Sequence, residues 1–208
     1  MQHFEDALIQ LKWSKVAGSH QCYKKRGSDG GLILLSCYVD DIVIAGRQAR
    51  QELDRIRRVV TTTDPEPVSR LLGTTYTALY DAESNGTKLT VGMTEYARDT
   101  VERFEAHEGV PKLRSDVSAP FRPDKPSDAT DPELQAEGIF AKQAPSYVMS
   151  LLWLGRQCRP DLMSTITTLA KRFTCWRRID DLRLIHLMSF LKSTCDLVLH
   201  AWIARGVS

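Results

Sequence analysis

The sequence lacks most features that would assign a chain to a class at a glance. Its five cysteines, Cys22, Cys37, Cys158, Cys175 and Cys195, form no CxxC pair. Its five histidines are scattered, at no zinc-ligand spacing to one another or to the cysteines. An odd cysteine count, with several of them inside apolar patterns, reads as reduced thiols in an intracellular protein. The N-terminus has neither a basic stretch nor an apolar run after it, so no signal peptide is read there. No apolar run reaches 18 residues, so no membrane span is expected. Internal repeats and low-complexity tracts are absent as well.

What is present is enough for a folded core. The chain has 208 residues, 42% of them hydrophobic and 26% charged. That length fits one large domain or two small ones, and the charged fraction is too ordinary for wholesale disorder. A net charge of +2 says little, but its distribution is uneven. Residues 151–208 hold nine Lys/Arg against four Asp/Glu, whereas 116–138 hold six acids against two bases. The basic C-terminal part could face phosphates; the acidic stretch reads as a solvated connector.

One stretch organises the rest: residues 31–46, GLILLSCYVDDIVIAG. Two short apolar runs, 32–37 and 42–45, read as buried strands. Tyr38, Val39, Asp40 and Asp41 between them then form the bend of a hairpin. An Asp-Asp pair is most often just a surface turn. At the tip of an apolar hairpin, two ionised carboxylates call for compensation. Mg²⁺ suits them, because it takes one or two carboxylates together with substrate phosphates.

Around that hairpin the pattern alternates. Residues 2–11 place Phe4, Ala7, Leu8 and Leu11 on one face of a short helix. Residues 21–25 read as a strand before the RGSDGG turn. Residues 47–60 space Ala49, Leu53, Ile56 and Val60 helically, and the five arginines and two acids on the other positions read as a solvated face or as phosphate contacts. After TTTDPEP, Leu71-Leu72-Gly73 leads into a β-type run at 74–80. Asn85-Gly86 marks a turn, and 88–91 return as a second strand. Thr94 is a candidate N-cap for a helix to about His107, with Tyr96, Thr100, Val101 and Phe104 on one face.

Five prolines between 111 and 138 mark a linker and a domain boundary. Beyond it, helices are expected at 146–155, from Pro160 at a first helical position to about Trp176, and from Asp181 to about Thr194. The last is apolar nearly all round and should be largely buried. Residues 197–203 could form a strand. Trp153, Trp176 and Trp202 are expected in the core.

Taken in order, these motifs resemble the reverse transcriptase of Ty1/copia-type retrotransposons. YVDD is followed by LLG, the Thr/Tyr-rich hairpin, TEYARDTVERF, Ser118-Ala119-Pro120, and Tyr147 with SLLWL at 150–154. Arg159-Pro160-Asp161-Leu162, His186 and FLKST at 190–194 complete the series. The resemblance runs from about Phe4 to Leu199. It implies an α+β fold: a partial palm over 1–110, the linker over 111–143, and a helical thumb/connection region over 144–208. It implies that Asp40 and Asp41 are palm carboxylates of an RNA-directed DNA polymerase that uses two Mg²⁺ ions, with Asp40 the firmer ligand. Tyr38 would sit beside the end of the RNA/DNA template–primer, Leu72 and Gly73 would grip the primer backbone, and deoxynucleotides would be substrates of the complete enzyme.

For Leu71-Leu72-Gly73 the plain alternative is a strand entry. For Arg159 it is the start of a helix, with Asp161 in the first turn where the helix dipole favours it, against a nucleic-acid contact. Family members also carry a further palm aspartate and nucleotide-binding fingers upstream, and RNase H downstream. Only Asp6 and Asp29 precede Asp40 here, and neither lies in an apolar strand. The chain is therefore expected to be a fragment of a Pol polyprotein, inactive alone, with the neighbouring Pol domains as partners. The other reading is a non-catalytic nucleic-acid-binding or interaction remnant of such an element. An intracellular location follows from the resemblance, whether cytoplasmic, in virus-like particles or nuclear. A sheet edge beside the YVDD hairpin would be left unpaired, an aggregation liability.

Overall fold

The computed structural model describes residues 2–83 and 85–204. The fold is mixed α+β, and the described residues form two antiparallel four-stranded sheets and seven α-helices. They divide into two compact units, residues 1–68 and 69–208.

In the first unit, helix α1 (Gln2–Gln10) leads into strands β1 (Ser14–Lys15), β2 (Cys22–Arg26), β3 (Leu32–Tyr38) and β4 (Asp41–Ala45), and helix α2 (Ala49–Arg57) follows. The sheet order is β1-β2-β3-β4, so β4 is an edge. Period-two alternation decides which face is covered. On β3, Ile33, Leu35 and Cys37 are buried, whereas Leu32, Leu34, Ser36 and Tyr38 are exposed. The buried set packs with Leu8, Trp13, Tyr23 and Ile56 into one core. The opposite face is open.

Helix α2 departs from expectation at one residue. Glu52, counted among the solvated positions, is 2% exposed. Lys25 Nζ and Arg55 Nη1 each reach one of its oxygens at 2.5 Å. Lys25 comes from the covered face of β2, so the ion pair closes the polar end of the core.

The second unit is built on a helical core. It opens with β5 (Arg70–Leu71), β6 (Thr74–Asp81) and β7 (Gly86–Gly92), then α3 (Thr94–Glu105). Helices α4 (Pro132–Gln135), α5 (Ala144–Gln157), α6 (Met163–Ala170) and α7 (Arg178–Ser193) follow, and β8 (Leu199–Ala204) pairs antiparallel with β7. Thr94 is the first helical residue of α3, and Met93 holds the cap position. Pro160 begins a short 3₁₀ turn, Pro160–Leu162, that runs directly into α6. The helix expected to reach Trp176 ends at Ala170, followed by a 3₁₀ turn at Phe173–Cys175.

Core positions come from α3 (Val101, Phe104), α5 (Leu151, Leu154), α6 (Ile166, Leu169) and α7 (Leu184, Leu187, Leu191). The proline-rich stretch belongs to this unit. It buries Leu113 and Val117 in the core and carries Asp128 beneath Arg122 at 2.6 Å. The two compact units divide instead between Val68 and Ser69.

Asp181 ties this segment to the helices. It is 4% exposed and accepts from the indole N–H of Trp176 at 2.7 Å, the Ile139 N–H at 2.7 Å and the Phe140 N–H at 3.2 Å. The helix it was expected to open starts three residues earlier, at Arg178, where Asp180 accepts the Arg177 N–H at 3.0 Å.

Candidate active-site hairpin

β3 and β4 pair in the register Leu34↔Ala45, Leu35↔Ile44, Ser36↔Val43, Cys37↔Ile42 and Tyr38↔Asp41. The bend is thus two residues, Val39 and Asp40, tighter than the four-residue bend read from the sequence. Two-residue hairpins need left-handed backbone at the first central position or at both. Val39 supplies it with φ +54°. A β-branched residue in that region is an outlier, and its cost is of order 1–3 kcal/mol.

The register places the two carboxylates differently. Asp40 occupies the second turn position, beyond the strands. Asp41 opens β4 directly opposite Tyr38, on the open face of the sheet. Tyr38 is 45% exposed, and both aspartates are exposed. Neither carboxylate makes a hydrogen bond or ion pair within the described residues. Beneath the turn, burial pushes the Cys37 thiol above its ordinary pKa, and the Asp40 charge adds to the rise.

The same open face carries Lys24 and Arg26 on β2, in register with Leu34 and Leu32. At 3.3 Å per residue, Lys24 lies about 13 Å along the strands from the Tyr38–Asp41 pair. The face therefore has a basic end, an apolar middle and an acidic tip.

Two carboxylates match the oxygen donors Mg²⁺ takes when substrate phosphates complete its shell. Among the described residues no group of three His, Cys, Asp or Glu gathers to hold a metal. The hairpin offers Asp40 and Asp41 and no third protein ligand.

The remaining candidates lie in the second unit, where the structure gives each a local task. Leu72 and Gly73 are the central residues of the β5–β6 hairpin, with Arg70↔Thr75 and Leu71↔Thr74 paired on either side. Their φ values are +51° and +78°, the left-handed pair of a type I′ turn. Both are partly buried. Arg159 is 2% exposed. Its guanidinium donates to Asp161 at 2.8 Å through Nη2, to the Thr194 carbonyl at 2.7 Å and to the Thr194 hydroxyl at 2.9 Å. It also lies over the Phe190 ring at 5.7 Å. All its nitrogens are used inside the unit, so it is a helix-start residue that ties α6 to the end of α7 and presents nothing to a phosphate.

Trp202 is the residue that sequence reasoning misplaced. Expected in the core, it is 57% exposed on β8, while Trp176 is buried and Trp153 is partly buried against the core. No local signal separates the three, because it is the strand register that puts Trp202 on the face of β8 turned away from the helical core.

Compared with known proteins, the chain matches no family profile, no curated protein and no solved structure. No helix among the described residues is long and apolar enough to cross a membrane.

Proposed function

We propose that this chain is the palm-hairpin-to-connection portion of an RNA-directed DNA polymerase of the Ty1/copia retrotransposon type. One observation carries the reading. Two adjacent carboxylates stand at the exposed tip of a sheet whose other face is sealed by helices and whose open face is basic at its far end. A nucleic acid lying along that face would meet Lys24 and Arg26 at one end and Asp40 and Asp41 at the other. Phosphate neutralisation supplies the sequence-independent affinity of such a contact. Asp40 and Asp41 would hold Mg²⁺, which in this chemistry activates the primer hydroxyl and steadies the leaving pyrophosphate. Tyr38 would flank the primer end.

The two carboxylates make half of a two-metal donor set. The chain alone is therefore expected not to extend a primer. That same half-set favours the second reading, a nucleic-acid-binding remnant without catalysis. Metal binding separates the two. Mn²⁺ is titrated into the chain with an RNA/DNA template–primer and followed by electron paramagnetic resonance. The polymerase reading expects a bound ion that is lost in Asp40→Asn and weakened in Asp41→Asn. Equal Mn²⁺ binding in wild type and the double variant would overturn it. Primer extension by the isolated chain, abolished by Asp40→Ala, would overturn the expectation of inactivity.

A further inference from the structure

The open face of the first sheet is divided by charge in a way that suits a second copy of itself. The charged side chains its strands present are Lys24 and Arg26 on β2 and Asp41 on β4, all exposed. Among the described residues the Lys24 side chain has no partner, and Arg26 donates through Nη1 to the Gly30 carbonyl at 2.9 Å. Asp29 lies in the turn beyond Arg26, but its carboxylate accepts the Gly31 N–H at 2.9 Å. Arg47 is exposed beside Gln48, whose side chain accepts the Ser28 N–H of that same turn. This end is therefore basic on balance, and the other carries Asp40 and Asp41.

The register fixes the spacing of these charges. Lys24 stands opposite Leu34, and Asp41 stands opposite Tyr38. Leu34 and Tyr38 each lie two residues from Ser36 along β3. Lys24 and Asp41 are thus one strand to either side of β3 and equally far from Ser36, about 8 Å each by strand spacing and rise. Consider a two-fold axis that passes by Ser36, lies between two such faces and crosses the Lys24–Asp41 line at a right angle. It carries Lys24 of each copy over Asp41 of the other and sets Leu34 over Val43. Arg26, one pair further out, then falls at the Asp40-Asp41 tip. The row through Ser36 holds Cys22 and Val43, so no charge meets its own image at the axis.

We infer that this face pairs with the same face of a second copy, in a two-fold dimer that sets Lys24 and Arg26 of each chain against Asp41 and Asp40 of the other. A two-fold interface uses one patch twice, so the patch must be its own complement. Charge selects this occupant over a polyanion. A nucleic acid is opposed at the tip by two carboxylates unless a cation intervenes, whereas a second copy brings its own cations. Leu34 and Tyr38, 46% and 45% exposed, supply the apolar surface that becomes buried. Three short strands make a small face, so the interface belongs to the weak, transient class below about 1,200 Å². The dimer hides Tyr38 and both carboxylates, so nothing else lies along the face until it opens. It rests on the first unit alone and does not require the polymerase reading.

The test is sedimentation velocity on the full chain, free of metal and nucleic acid, over a series spanning the micromolar range at low and high salt. Wild type should pass from monomer to dimer as concentration rises, and less readily at high salt. Lys24→Glu and Asp41→Lys should each weaken the dimer about tenfold or more, because each sets like charges together twice. An equimolar mixture of the two variants should recover wild-type association. One chain then supplies the anions of both contacts and the other the cations, which a misfolded variant cannot do. Three results would overturn the inference: a wild type that stays monomeric, which leaves the face to another occupant; single variants that associate as wild type does; or no recovery on mixing. The Mn²⁺ experiment on the hairpin does not enter this one, so the dimer and the polymerase reading fail separately.

Discussion

The Leu72-Gly73 turn of the second unit and the Val39-Asp40 turn of the first each close a hairpin with two residues, yet they are furnished differently. The first places leucine at φ +51° and glycine at φ +78°, and only the glycine has no Cβ to clash. At the second, a β-branched valine takes φ +54°, where a Cβ is crowded against the backbone. The polar side chains follow the same division. Asp181 and Glu52 are buried with their oxygens engaged, whereas Asp40 and Asp41 are exposed at the strained turn, with no partner among the described residues. Residues that hold the fold have partners within it. The Val39-Asp40 turn sets a β-branched residue in left-handed backbone beside two carboxylates that have no partner among the described residues, whereas the other turn uses an unbranched leucine and a glycine.

Four experiments would break or sharpen that contrast. The largest effect is expected from Asp181→Ala, which strands two backbone N–H groups and the Trp176 indole N–H inside the second unit. Roughly 3–5 kcal/mol should be lost in urea unfolding, whereas Asp40→Ala should change stability by no more than about 0.5 kcal/mol. If the two substitutions cost the same, the distinction between partnered and free carboxylates is empty. Gly73→Val comes next. It forces a β-branched residue into left-handed backbone and should cost about 1–2 kcal/mol.

Val39→Gly should act in the opposite direction. Relief of the strained turn outweighs the entropy that glycine loses on folding, for a gain of up to about 1 kcal/mol. A loss of stability at this position would show that valine is there for packing. The smallest change is a titration. The Arg122 guanidinium and the Lys125 N–H hold the Asp128 carboxyl at about 2, below its usual 3.8. Its folded pKa is depressed, so its stabilising share is complete above about pH 4 and fades as pH falls towards 2. Carbon-detected NMR should find that low midpoint in wild type and a higher one in Arg122→Gln, where the Lys125 N–H remains.

Much of this was legible in the sequence, and what failed failed for physical reasons. The YVDD hairpin could be read because its apolar runs are short and a covered sheet face enforces alternation on β3. The strand read at 197–203 is found at Leu199–Ala204, whereas Gly86, read as a turn residue, opens β7 opposite Asp81. Glu52 could not be read, because a charged residue on a helix gives no sign that Lys25 will arrive from a strand to pair with it. The prolines between 111 and 138 mark extended backbone, but they do not say whether that backbone packs. Leu113, Val117 and Asp128 decide that by finding partners in the second unit.

By itself the sequence determined that helices and strands mix, that a hairpin bends at Asp40, and that α7 is buried, because each depends on periodicity or on local turn chemistry. Only the tertiary structure decided that Asp41 shares an open sheet face with Tyr38, Lys24 and Arg26, that Arg159 is consumed inside its unit, and that Trp202 lies exposed on β8. Those outcomes depend on strand register and on which sheet face the helical core covers, and both are set by contacts between residues far apart in the chain.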